Sequence, residues 1–89
     1  MNFKTYWFEF ESSDSISLPP GIGIGCGVSA YNYYDAMRII SDKIFRGEEI
    51  PPVKKMIEDV KINQLDHGHV VPNMKSMIFY GIWFPLGYE

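Results

Sequence analysis

From Gly21 to Gly27 the chain places glycine at every second position, and Ile22, Ile24, Cys26, Val28 and Ala30 occupy the alternate ones. In a pleated strand successive side chains point to opposite faces, so this order sends the apolar set to one side and four glycines with Ser29 to the other. The first side is a packing surface. The second is almost bare backbone, and glycine weakens a strand interior unless another group must come close to it. Large side chains from neighbouring strands are therefore expected across that face, with Trp7 and Trp83 as the candidates. The spacing excludes a phosphate-binding loop. A dinucleotide fingerprint needs G-x-G-x-x-G between a strand and a helix, and a P-loop needs a lysine directly after it.

The rest of the chain supplies partners for this segment. Lys4–Glu11 alternates as a half-buried antiparallel strand, with Tyr6, Phe8 and Phe10 on one face and Thr5, Trp7, Glu9 and Glu11 on the other. Ser12–Gly21 is a serine-rich, acidic connection longer than the usual hairpin loop of about two to five residues, which makes it a candidate recognition element. Asn32 as N-cap, Asp35 in the first turn and Gly47 as the stop predict the main helix. Its core stripe is Tyr33, Ala36, Met37, Ile40 and Ile44, with Arg38–Asp42 and Asp42–Arg46 pairs on the wetter side. After Pro52, the residues Val53, Met56, Ile57 and Val60 recur at helical spacing and predict a short second helix. Ser76–Phe84 is apolar on both faces and reads as the central strand, ended by Pro85.

With 89 residues and 46% hydrophobic side chains, the chain reads as one domain, 1–89, with a packed core. The expected class is α+β: a small, mostly antiparallel sheet of three to four strands, with the main helix and the short second helix packed on one face. The other face would then present Trp7, Glu9, Glu11 and the glycine row to solvent. Cys26 is the single cysteine and falls on the apolar face, which fits a reducing compartment. Glu9 and Glu11 break the aromatic run after Lys4, and no stretch approaches the ~20 apolar residues of a membrane span, so a cytoplasmic chain without signal peptide or membrane segment is expected.

Net charge is −3, with the acid excess mainly at the N-terminal end. No basic cluster is available to neutralise phosphates, which disfavours nucleic acid, whereas a basic protein partner would be steered favourably. A sheet face with an aromatic ring edged by carboxylates resembles a protein-binding surface, and Trp7, Glu9, Glu11 and Asp14 are its candidate residues. The function expected on this reading is non-enzymatic protein binding, with no cofactor. A second reading uses Asp66, His67 and His69 in Asn63–Met74: if that segment is extended, the imidazoles share a side and the carboxylate could complete a metal site or orient a general base. A third is a self-associating structural domain, a homo-oligomer.

The stretches YWFEFE, GIGIGCGVSAYNYYDAMRII, DHGHVVPNM and GIWFPLGYE together resemble a group of short uncharacterised bacterial proteins, across most of the chain. In size and acidity the chain is also similar, by type and not by motif, to immunity proteins that neutralise polymorphic or contact-dependent toxins. That likeness implies a protein partner, a basic toxin domain, and carries over no binding residue.

Overall fold

In the computed structural model, which describes residues 2–12 and 17–88, the chain runs β1 (Lys4–Phe10), β2 (Cys26–Ala30), α1 (Tyr33–Ile40), β3 (Val53–Glu58) and β4 (Gly81–Phe84). The strands form one antiparallel sheet in the order β3-β1-β2-β4. The class is α+β, with a four-stranded sheet, one main helix and short 3-10 turns.

The period-two pattern of β1 builds the first core layer. Tyr6, Phe8 and Phe10 are buried with Cys26, Val28 and Ala30 of β2, and α1 covers them with Ala36, Ile39 and Ile40. Each Val, Ile or Phe side chain among them, taken fully out of water, contributes about 1.5–3 kcal/mol, and each alanine less. Burial also pushes the Cys26 thiol up, so it stays protonated and packs as a small hydrophobe.

Helix α1 starts where its cap predicts: Asn32 Oδ1 accepts the Asp35 N–H at 2.8 Å. It then widens through a π-helical turn, Ser41–Phe45, and stops at Arg46 in the left-handed region, φ 52°. There the Gly47 N–H donates to the Ser41 carbonyl at 3.2 Å. The wide turn lets the consecutive residues Ile44 and Phe45 both be buried; in the regular turns before it Ile39 is buried beside Ile40, while Tyr33 stays at the surface. Arg38 reaches Asp42 at 3.3 Å as expected, whereas the left-handed Arg46 has left the helical spacing that an Asp42 pair needs.

Two β-bulges account for most of the departures from the expected elements. Residues 53–60 are not a second helix: Val53–Glu58 is the edge strand β3, paired with β1. Phe10 pairs with Val53 and Glu9 with Lys55, so the extra residue places Val53 and Met56 on the same side of the sheet. A bulged strand thus reproduced the three-residue spacing of a helix. The second bulge lies between β2 and β4, where Gly27 pairs with Phe84 and Val28 with Ile82. It brings the consecutive rings of Trp83 and Phe84 into one buried cluster, while Ile82 packs into the helix-side core.

Two further segments differ. The glycine-alternating strand begins only at Cys26. Pro19 to Ile24 is a pair of turns, closed by Ile22 N–H to Pro19 O (3.1 Å) and Ile24 N–H to Gly21 O (3.3 Å), which leaves Ile24 exposed. Strand β4 is short and lies at the sheet edge, not at its centre. Residues 76–80 precede it as an irregular arm, and Gly81, with φ 113°, marks the change of direction.

The glycine face is covered. Trp7 lies over Gly25 and Trp83 over Gly27, close enough that a Cβ at either glycine would enter the indole ring. The two indoles stack at 6.2 Å and are 5% and 1% exposed. Residues 60–77 roof them with Val60, Leu65 and Val70, so the open, side-chain-poor face expected from the sequence is an interior layer. Hydrogen bonds hold the roof down: Thr5 Oγ1 donates to Val60 O (2.8 Å), Ser29 Oγ to Met77 O (2.6 Å) and the Lys75 N–H to Trp83 O (2.8 Å).

Candidate protein-binding surface

The residues nominated from sequence fall on different parts of this frame. Trp7 is buried, and its indole N–H donates to the Glu9 carboxylate at 3.0 Å. Glu9 is half-buried and pairs in register with Lys55 of β3. Glu11 is exposed just past the end of β1, with its N–H donated to Pro52 O. Asp14 lies outside the described residues. What remains of the expected surface is a hollow whose lining includes Trp7, Glu9, Ile24, Lys55, Leu65 and Asp66.

Asp66, His67 and His69 are not on an extended segment. Asp66 Oδ1 accepts the N–H groups of Gly68 (2.7 Å) and His69 (3.1 Å), and its Oδ2 meets His69 Nδ1 at 3.2 Å. These bonds, the Gly68 N–H first and then the His69 ring, hold the Asp66 carboxyl below its ordinary pKa. Its backbone carbonyl also takes the N–H groups of Val70 and Val71, both at 3.0 Å. The carboxylate therefore closes the turn that carries Val70 into the roof. Among the described residues no group of three His, Cys, Asp or Glu side chains is placed to hold a metal ion.

A different part of the molecule collects exposed rings. Register pairs Lys4 with Ala30, which sets Phe3 beside Tyr31 at the end of the β1–β2 pair; Phe3, Tyr31 and Tyr80 form a triangle with centroid separations of 5.2, 5.2 and 5.3 Å. Tyr34, in the first turn of α1, is 81% exposed, and on the irregular arm Ile78 and Phe79 are 76% and 66% exposed. Capping explains the helix side of this cluster. Once Asn32 is the cap, Tyr31 lies before the helix and Tyr34 falls on its outer face, away from Ala36 and Ile40.

A polar network fixes the Tyr80 ring in place. The Tyr80 hydroxyl donates to Asp35 at 2.8 Å, and Arg38 donates to both Asp35 (2.9 Å) and the Tyr80 oxygen (3.0 Å). The Tyr31 N–H adds a further bond to Asp35 at 3.1 Å. Desolvation works to raise the Asp35 pKa, but the bonds from Tyr31, Tyr80 and Arg38 outweigh it and hold the carboxyl below its ordinary value. Desolvation, together with the neighbouring Asp35 carboxylate, pushes the Tyr80 hydroxyl up. Beside the network, between α1 and residues 75–82, runs a groove of about 240 Å³.

The sequence carried a signal for this surface in Tyr31-Asn32-Tyr33-Tyr34-Asp35, where the cap position determines which tyrosines face outward. The arm carried a weaker one, since Gly81 interrupts the apolar run of Ser76–Phe84.

No family model matches this chain, no curated protein matches it, and no solved structure matches it. The fold and site together define an α+β domain with an antiparallel sheet and a tyrosine-rich outer surface. Among the described residues no helix is long and apolar enough to cross a membrane.

Proposed function

We propose that this chain is a non-enzymatic protein-binding module whose contact surface is the tyrosine-rich end: Tyr31, Tyr34, Ile78, Phe79 and Tyr80. The observation that carries it is the exposure of Tyr34, Ile78 and Phe79, on the first turn of α1 and on the arm that the hydrogen-bonded Tyr80 ties to it. Large apolar groups gathered on one surface mark interaction sites, and Tyr and Arg dominate the residues that contribute most to binding. Because Asp35 and Arg38 already restrain Tyr80, less side-chain entropy is lost when a partner docks. The narrower form of the proposal is a cytoplasmic immunity protein that blocks a basic toxin domain. Its support is the likeness of type noted above and the net charge of −3, which favours encounter with a cationic partner.

The test is affinity purification of the tagged chain from its native host at low ionic strength, in three versions. The native chain should retain a protein partner, Glu11→Gln at the exposed end of β1 should retain it, and Tyr34→Ser/Phe79→Ser should lose it while keeping the native circular dichroism. Loss on Glu11→Gln alone would move the interface to the end of β1 and end this reading. Recovery of nothing but further copies of the chain would assign the surface to self-association instead.

A further inference from the structure

The groove beside the tyrosine surface concentrates positive charge in an acidic protein. Of the eight Lys and Arg residues in the chain, Arg38, Lys43 and Lys75 line this one cavity, and among the described residues Asp42 is the only carboxylate in its lining. Between the cations the walls are apolar, formed by Ile39 of α1 and by Phe79 and Ile82 of the opposite side. We propose that this groove binds a small carboxylate ligand whose body is a single ring or a short branched chain. The inference goes beyond the protein-binding reading, because it concerns a small ligand in the groove and needs no partner on the outer rings.

Three features fit that chemistry. The volume of about 240 Å³ lies just under the ~300–1,000 Å³ of sites for drug-sized molecules, which suits one ring and one head group. Arg38 spends three donor contacts on Asp35, Asp42 and Tyr80, so two of the five N–H groups of a guanidinium remain for a ligand. Those contacts also fix the guanidinium in position before any ligand arrives. Lys43 has no ion-pair partner among the described residues, and it follows Ile39 by one helical turn, so an ammonium and an apolar wall stand on the same face. Asp35 stands behind Arg38 and outside the lining, so it holds the guanidinium without facing the cavity.

The carboxylate could belong to a free acid or to the C-terminal residue of a peptide, and the two are separable. Isotope-labelled protein is titrated with 3-phenylpropionate, with 3-phenylpropanol, and with the peptide acetyl-Ser-Gly-Phe carrying a free or an amidated terminus, following backbone amide shifts. The acid should give saturable shifts at Ile39, Lys43, Ser76 and Gly81, and the alcohol should bind about tenfold more weakly. Lys43→Glu, at an exposed position, should weaken the acid by a similar factor of about ten, while Lys54→Glu on β3 leaves it unchanged. A peptide with a free terminus that binds more tightly than 3-phenylpropionate and loses affinity on amidation makes the ligand a chain terminus. The reverse order makes it a free acid. Equal binding of acid and alcohol, shifts centred outside the groove, or an unchanged affinity in Lys43→Glu would overturn the proposal.

Discussion

A methyl group added at Gly27 would fall inside the Trp83 ring, whereas one added at Gly23 would meet nothing within 4 Å. The two glycines look alike in the sequence, yet only one lies in β2 under an indole. Gly27→Ala should therefore cost about 1–3 kcal/mol, the range for overpacking a filled interior. Gly23→Ala should stay within about 0.5 kcal/mol of the native chain, or gain slightly by restricting the unfolded state. Urea unfolding of the two variants checks this, and an equal loss in both would contradict the packing described. The pairing of tryptophan with glycine was legible from sequence because it depends only on strand parity over a few residues. The role of Asp66 was not. Asp-His-Gly-His is equally compatible with chemistry and with a turn, and only the backbone N–H groups of Gly68 and His69 on the carboxylate separate the two.

At the scale of elements, the helix cap, β1 and β2 follow from local pattern, and the misses cluster where one extra residue breaks a period. The bulge opposite Glu9 and Phe10 made a strand look helical, and the bulge opposite Gly27 and Val28 hid the burial of both Trp83 and Phe84 in one layer. Burial of the glycine face under residues 60–77 was not legible either, since Val60, Leu65 and Val70 are too widely spaced to show a period. Arm and helix are joined by the Asp35–Arg38–Tyr80 network, and its titration gives a second prediction. The Asp35 pKa is lowered from 3.8, so its stabilisation is present above that value and is lost as pH falls through the lower, folded-state pKa. The Tyr80 pKa is raised from 10.0, so its stabilisation is present below that value and is lost as pH rises through the folded-state pKa. Thermal midpoints measured across pH should show a shallower acid limb in Asp35→Asn and a shallower alkaline limb in Tyr80→Phe. Limbs unchanged in both variants would mean that the network does not tie the arm to α1.

For the molecule as a whole, the sheet has a core on each face and guarded edges. On one outer edge β3 carries Lys54, Lys55 and Glu58 and is bent by a bulge, while the other edge, β4, is met by the Lys75 N–H at Trp83 O. The exposed side chains of Tyr31, Tyr34, Ile78, Phe79 and Tyr80 lie outside both core layers, and it is there that the proposal puts recognition. The class and the number of strands were legible from alternation and capping, but their order in the sheet was not; the proposed contact surface was not legible either, because it depends on which half of the Ser76–Phe84 run pairs with β2 and which half turns away. The most direct measurement is site-specific photo-crosslinking in the native host, with a benzophenone amino acid at position 34, 79 or 11. The account predicts a discrete adduct to one other protein from positions 34 and 79 and none from position 11. An adduct from position 11 alone, or none from any of these positions, would contradict it.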